Sequence, residues 1–152
     1  TAGAIRTLDR IMQQAPGNAT AAWVLTMAYL DQGATKDARA LLEKMPSGFG
    51  KNYLWRHAMA MVLAAEGNRK AAIQGMDEET LKFARLCWAV TSATADYYIL
   101  LGDKEKAIEW LQLAVSRGDE RIAYFRRNPR LASFRDDTRF QSILRSVEAR
   151  RK

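Results

Sequence analysis

The sequence holds very little of the chemistry on which enzymes and metal proteins commonly depend. Its 152 residues include one cysteine, Cys87, and one histidine, His57. A single cysteine excludes an internal disulfide and a cysteine-based zinc site. A nucleophile–base pair would need both residues together, and we expect Cys87 to be a small buried hydrophobic residue instead. We therefore expect no catalytic residues, no metal site and no cofactor.

Long apolar runs and nucleotide-binding loops are also missing. No apolar segment approaches the about 20 residues that a bilayer span requires. The loop Ser47-Gly48-Phe49-Gly50 follows no strand and precedes no Gly-Lys-Ser/Thr, which favours a plain turn. The chain opens at Thr1 without an initiator Met or a signal peptide, so we interpret it as part of a longer protein. Its compartment stays open: cytoplasmic, or extracytoplasmic if the parent protein has an upstream membrane span.

What the sequence does have is a regular period. Alanines recur at intervals of 34, 34 and 35 residues, at Ala4, Ala38, Ala72 and Ala107. Glycines keep the same period, five residues ahead of the last three alanines, at Gly33, Gly67 and Gly102. An apolar helical pattern precedes each glycine and a second one follows it. A fixed period of this length is typical of a stacked helical array, in which each unit buries its apolar face on the next.

Apolar spacing predicts where the helices lie. We expect them at about 4–14, 19–32, 35–45, 52–66, 68 into the 80s, 88–101, 104–116, 120–126 and 137–149. Gly75 and the acidic run Asp77-Glu78-Glu79 predict a kink or break in the helix that starts near residue 68. In the last helix, one apolar stripe predicts a capping helix, with Asp136 or Asp137 at its start and Phe140, Ile143, Leu144 and Val147 along it.

The units resemble tetratricopeptide repeats, whose pattern runs Trp, two residues, Leu-Gly, two residues, Tyr, then Ala, three residues and a large apolar residue. The best match is Ala22, Leu25-Thr26, Tyr29, Ala38 and Leu42. The small–large pair recurs as Ala4 with Leu8, Ala72 with Met76, and Ala107 with Leu111. The resemblance implies an all-α, right-handed α-α superhelix of helical hairpins with a C-terminal capping helix. It implies one domain, 1–152, with a half-unit at 4–16, units at about 19–50, 52–86 and 88–117, and a cap at 119–149.

The tail carries a second resemblance. Residues 102–111, followed by 127–144, look like the end of the repeat region of bacterial eukaryotic-type serine/threonine kinases and related multidomain regulators. No kinase signature is present, so no kinase chemistry follows. The resemblance implies a non-catalytic module that binds proteins or senses signals within a larger bacterial regulatory protein.

In the tetratricopeptide family the first helix of each unit lines the concave face, where partners bind. The resemblance therefore implies a partner-binding set at Trp23, Met27, Leu30, His57, Met61, Ser92 and Asp96. Trp and Met at these positions favour an apolar or helical partner segment, because Met adapts to irregular shapes and Trp anchors interfaces. The other interpretation, that Trp23 and Met27 are core residues, stays open here.

The charge is concentrated at one end. Residues 117–152 hold eleven basic groups against five acids, whereas residues 1–116 hold thirteen against twelve. One alternative function is therefore binding of nucleic acid or another acidic partner through Arg126, Arg127, Arg130, Arg135 and Arg139. We favour solvated helix faces, whose Arg stems cover apolar neighbours, over nucleic-acid binding. Self-association of the parent protein into a homo-oligomer is the second alternative.

Overall fold

The protein is built from short helices. The computed structural model describes residues 2–150, and within them it contains helices and no strand. The α-helices are α1 (Ala2–Gln14), α2 (Ala19–Asp31), α3 (Thr35–Glu43), α4 (Tyr53–Ala65), α5 (Arg69–Gly75), α6 (Glu78–Ala84), α7 (Trp88–Leu100), α8 (Lys104–Ser116), α9 (Ile122–Arg127) and α10 (Thr138–Ala149). Two 3₁₀ helices span Phe49–Lys51 and Pro129–Phe134. The prediction of an all-α fold of paired helices is confirmed.

The chain divides between Lys82 and Phe83 into two compact units. In unit 1, α2 pairs with α3 and α4 pairs with α5, while α1 packs on α2 and both α2 and α3 pack on α4. In unit 2, α7 pairs with α8, and α10 packs on α8 and on α9. The 3₁₀ helix Pro129–Phe134 packs on α7 and on α9. Each unit is therefore organised around helical hairpins.

The three hairpins turn in the same way, which explains the glycine period. Gly33, Gly67 and Gly102 have φ values of 72°, 78° and 73°, a left-handed conformation that only glycine adopts without strain. The next residue donates its N–H to a carbonyl in the last turn of the preceding helix, at 2.9 Å each time: Ala34 to Tyr29, Asn68 to Leu63, and Asp103 to Tyr98. These bonds satisfy carbonyls that the helix end leaves without partners.

The alanine period marks the contacts between the paired helices. Ala38, Ala72 and Ala107 are 0% exposed. Their large partners four residues later are buried as well, at Leu42, Met76 and Leu111. A small side chain lets two helices approach closely, and the large side chain fills the space beside it. On α1 the matching Ala4 is exposed and Leu8 is half-buried, so this pair does not make the same contact.

The second helix of the second full unit is broken, as predicted. Helix α5 ends at Gly75 and α6 begins at Glu78. Asp77 stabilises the new start, because its Oδ1 accepts bonds from the Thr80 N–H at 3.0 Å and from the Thr80 Oγ1–H at 2.7 Å. These side-chain bonds replace the helix bonds that are lost where the chain leaves α5.

The capping helix α10 is also present. Asp137 caps its start, since Oδ1 accepts from the Arg139 N–H at 2.9 Å. Phe140, Ile143 and Val147 are buried and Leu144 is half-buried, so the predicted stripe is the inward face of the helix. This face packs on the α8 side of unit 2.

We expect Phe140→Ala to lower the free energy of unfolding by about 3–5 kcal/mol, because the phenyl ring is 1% exposed and its removal leaves a cavity. The matched control is Ser142→Ala, an exposed position on the same helix. Urea unfolding followed by circular dichroism measures both variants. Equal stability of the two variants would show that α10 contributes nothing to the core.

Candidate partner-binding surface

The first helices of two successive hairpins, α2 and α4, pack side by side in unit 1. Trp23 on α2 and His57 on α4 are 34 residues apart, which is one repeat period. The Trp23 Nε1–H donates to His57 Nδ1 at 3.1 Å, and the ring centroids lie 6.0 Å apart. Because Nδ1 accepts this bond, the proton of the neutral imidazole is on Nε2. The same position in two repeats is thus joined by a side-chain hydrogen bond.

Burial determines the protonation state of His57. The side chain is 0% exposed, and burial lowers its pKa to about 3 because water no longer solvates the imidazolium. His57 is therefore neutral near pH 7, and the neutral ring is the form that accepts from Trp23. This geometry makes His57 a structural acceptor between two helices.

The other predicted partner-binding residues of unit 1 differ in accessibility. Trp23 is 9% exposed, Leu30 5% and Met61 1%, so these three lie in the core of the unit. Met27 is half-buried and reaches the surface. Contact of these residues with a partner stays a prediction, with Met27 as the accessible member.

Around Met27, α2 presents a stripe that the sequence reasoning missed. Thr20, Val24 and Asp31 are exposed and follow one another with Met27 at intervals of four, three and four residues. This spacing places them on one face of the helix. Val24 is 39% exposed, a high value for an aliphatic side chain. The helical spacing from Met27 could have identified Val24 as a surface neighbour. The predicted partner-binding set omits Val24 because it does not occupy one of the repeat positions used for that set. We call these four residues the α2 stripe.

In unit 2, the predicted residue Asp96 is 5% exposed and is contacted by the chain's own C-terminal segment. Its Oδ2 accepts from the Tyr124 hydroxyl at 2.6 Å, and its Oδ1 accepts from Asn128 Nδ2 at 3.2 Å. The Arg130 guanidinium lies 3.5 Å from Oδ2. Three donors thus compensate for the removal of this carboxylate from water.

Ser92, one turn before Asp96, is contacted in the same way. It is 1% exposed, and its Oγ accepts from Arg121 Nη2 at 3.1 Å. Arg121 also pairs with Asp119 at 2.8 Å, and Asp119 is 0% exposed. The guanidinium lies 4.7 Å from the Trp88 ring centroid and 4.4 Å from that of Tyr124, both within cation–π range. The sequence alone does not reveal these partners, because they depend on how the C-terminal segment packs.

The five arginines of the predicted basic surface are used in two ways. Arg126 pairs with Glu148, Arg130 with Asp96, and Arg139 with both Glu105 and Asp137. The Arg139 guanidinium lowers the pKa values of Glu105 and Asp137, since it stabilises their charged forms. Arg127 and Arg135 are exposed. Ion pairing reduces the positive charge that this surface offers to an acidic partner, and such binding stays a prediction.

Cys87 is exposed, so the prediction that it is a buried hydrophobic residue is wrong. It lies directly before α7, between Leu86 and Trp88, which are 72% and 37% exposed.

Within residues 2–150 there is no group of three or more His, Cys, Asp or Glu side chains that could hold a metal ion. No helix described in this range is both long enough and apolar enough to cross a membrane.

Comparison with known families bears on the N-terminal part of the chain, which contains α1 to α3 and most of α4. Residues 1–62 match the family model of the tetratricopeptide repeat. The match supports a tetratricopeptide repeat domain. Such repeats generally mediate interactions between proteins. No curated protein and no solved structure matches the chain.

The buried histidine in the part of the chain that matches the family model predicts a pH dependence of stability. The folded pKa of His57 lies below its ordinary value of 6.5, so unfolding takes up a proton under mildly acidic conditions. The contribution is fully present above that value and is lost as the pH falls toward about 3. We expect a slope of about 0.7 kcal/mol per pH unit at pH 6.5 that rises toward about 1.4 kcal/mol per pH unit as the pH falls to 5.5.

Urea unfolding at several pH values measures this slope. The control is His57→Gln, whose amide oxygen can accept from Trp23 but does not titrate. The chain has no other histidine, so the variant loses the slope in this window. Identical slopes for the variant and the wild type would contradict the assignment.

Proposed function

We propose that this chain is a non-catalytic protein-interaction module of a larger regulatory protein, and that it binds a partner segment on the first-helix face of unit 1. The observation that carries the proposal is the tetratricopeptide match over residues 1–62, within which α2 presents the accessible α2 stripe. Tetratricopeptide repeats generally bind other proteins. The resemblance of the C-terminal residues to the repeat regions of bacterial kinases supports a regulatory parent protein.

The α2 stripe has the composition of a small docking surface. Val24 and Met27 form an apolar centre, while Thr20 and Asp31 supply polar groups at the two ends of the stripe. An unbranched Met side chain adapts to irregular shapes, which suits contact with an apolar side chain of a partner. The chemistry fits an amphipathic partner helix, whose apolar residues would cover Val24 and Met27.

The buried predicted residues support this surface from beneath. The Trp23–His57 bond fixes α2 against α4, and Leu30 and Met61 fill the core of the unit. A surface that is rigid before binding loses little conformational entropy when the partner arrives. In this proposal Met27 contacts the partner, whereas Trp23, Leu30, His57 and Met61 hold the helix that presents it.

A photo-cross-linking amino acid at position 24 tests the proposal in cells that contain the parent protein. We expect one partner segment to be captured repeatedly and identified by mass spectrometry. Met27→Lys should reduce its capture at least about tenfold, because a charge replaces part of the apolar centre. The melting temperature should stay close to that of the wild type, since Met27 reaches the surface.

The control position is Ile73 on α5 of the same unit, which is 50% exposed and lies outside the α2 stripe. Capture of the same segment at both positions would indicate non-specific contact. A capture at position 24 that is unaffected by Met27→Lys would place the partner elsewhere.

A further inference from the structure

The middle of helix α7 is covered on every side, unlike that of α2. Nine consecutive residues, Val90 to Tyr98, are buried. Such burial all around a helix is expected for apolar sequences. Here the buried residues include Ser92 and Asp96, which occupy the repeat positions held by Trp23 and Met27 in α2. The first-helix face of this unit is therefore polar, and it is covered by residues 119–130 of the chain itself.

The covering segment reaches this face through long polar side chains. Arg121 bonds to Ser92, Tyr124 and Asn128 bond to Asp96, and Arg130 forms an ion pair with Asp96. Helix α9, which carries Tyr124, packs on α10 and on the 3₁₀ helix that follows it. Phe125 of the same segment is 1% exposed, so the segment is held by apolar burial as well as by these polar contacts.

The polar contacts with Asp96 can be exchanged at little net cost. A second segment that offers a guanidinium and a phenol replaces the contacts of Arg130 and Tyr124 with Asp96 by equivalent ones. The chain's own segment has the advantage of being tethered, which gives it an effective concentration in the millimolar range. A competitor therefore binds weakly until the tethered contacts are loosened.

We propose that the α7 face, centred on Asp96 and Ser92, is a second protein-binding site that residues 119–130 hold closed. Its partner is a protein segment that carries arginine and tyrosine and that takes the places of Arg130 and Tyr124 at Asp96. This inference rests on the proposed interaction function, and it places a regulated site in unit 2. Binding at the α2 stripe in unit 1 requires no such release.

The test uses the full chain and a fluorescein-labelled peptide with the sequence of residues 119–131. The double variant Tyr124→Phe/Arg130→Gln removes two donors to Asp96 but keeps most of the side-chain volume. We expect fluorescence anisotropy to show at least about tenfold tighter peptide binding to this variant than to the wild type. Adding Asp96→Asn to the variant should abolish the gain, because the acceptor charge is lost.

The matched control is Arg127→Gln, an exposed arginine of the same segment. An equal gain in this control would show non-specific attraction and would overturn the proposal. So would a double variant that binds the peptide no better than the wild type. Loss of cooperative thermal unfolding in the double variant would identify residues 119–130 as an integral part of the core, which also overturns it. Cross-linking at position 24 reports separately on unit 1, so failure of either proposal can be distinguished.

Discussion

The close contact between paired helices at a small side chain is the constraint on which the remaining structure depends. Ala38, Ala72 and Ala107 are fully buried at the same place in three hairpins. A larger residue there would separate the two helices and displace the neighbouring large side chain. The glycine turns serve the same contact, since each reverses the chain within a few residues and starts the second helix in register. The geometry of the three hairpins thus depends on an alanine and a glycine that recur with the same period.

Much of the fold could be predicted because local rules set it. Helical apolar spacing, the left-handed glycine turns and the small–large pairs each depend on residues close in sequence. The break between α5 and α6 was also predictable from Gly75 and the acidic run, although its capping by Asp77 through Thr80 was not. Exposure of Cys87 could not be read from composition, because cysteine is buried more often than not and only the packing around α7 decides this position.

For the candidate surface, these local rules do not predict which residues are accessible to solvent. Trp23 and His57 belong to the predicted partner-binding set, and the structure joins them by a hydrogen bond between two helices. Equivalent repeat positions carry different chemistry: apolar and sulfur-containing groups on α2, but a hydroxyl and a carboxylate on α7. Their accessibility depends on which segment packs over them, and that is a tertiary property. A repeat period predicts which positions are equivalent, and the neighbouring elements decide which of them meet solvent.

The exposed thiol of Cys87 is a site at which a label could report whether the α7 face is covered. It is the only cysteine in the chain, so a thiol-reactive dye would label one site per molecule. The neighbouring Trp88 ring lies 4.7 Å from the Arg121 guanidinium, which also bonds to Ser92. A fluorophore at position 87 would therefore sit beside the first contact of the C-terminal segment. Its quenching by Trp88 would change when that arginine moves, so the fluorescence of the labelled chain would report movement of the C-terminal segment.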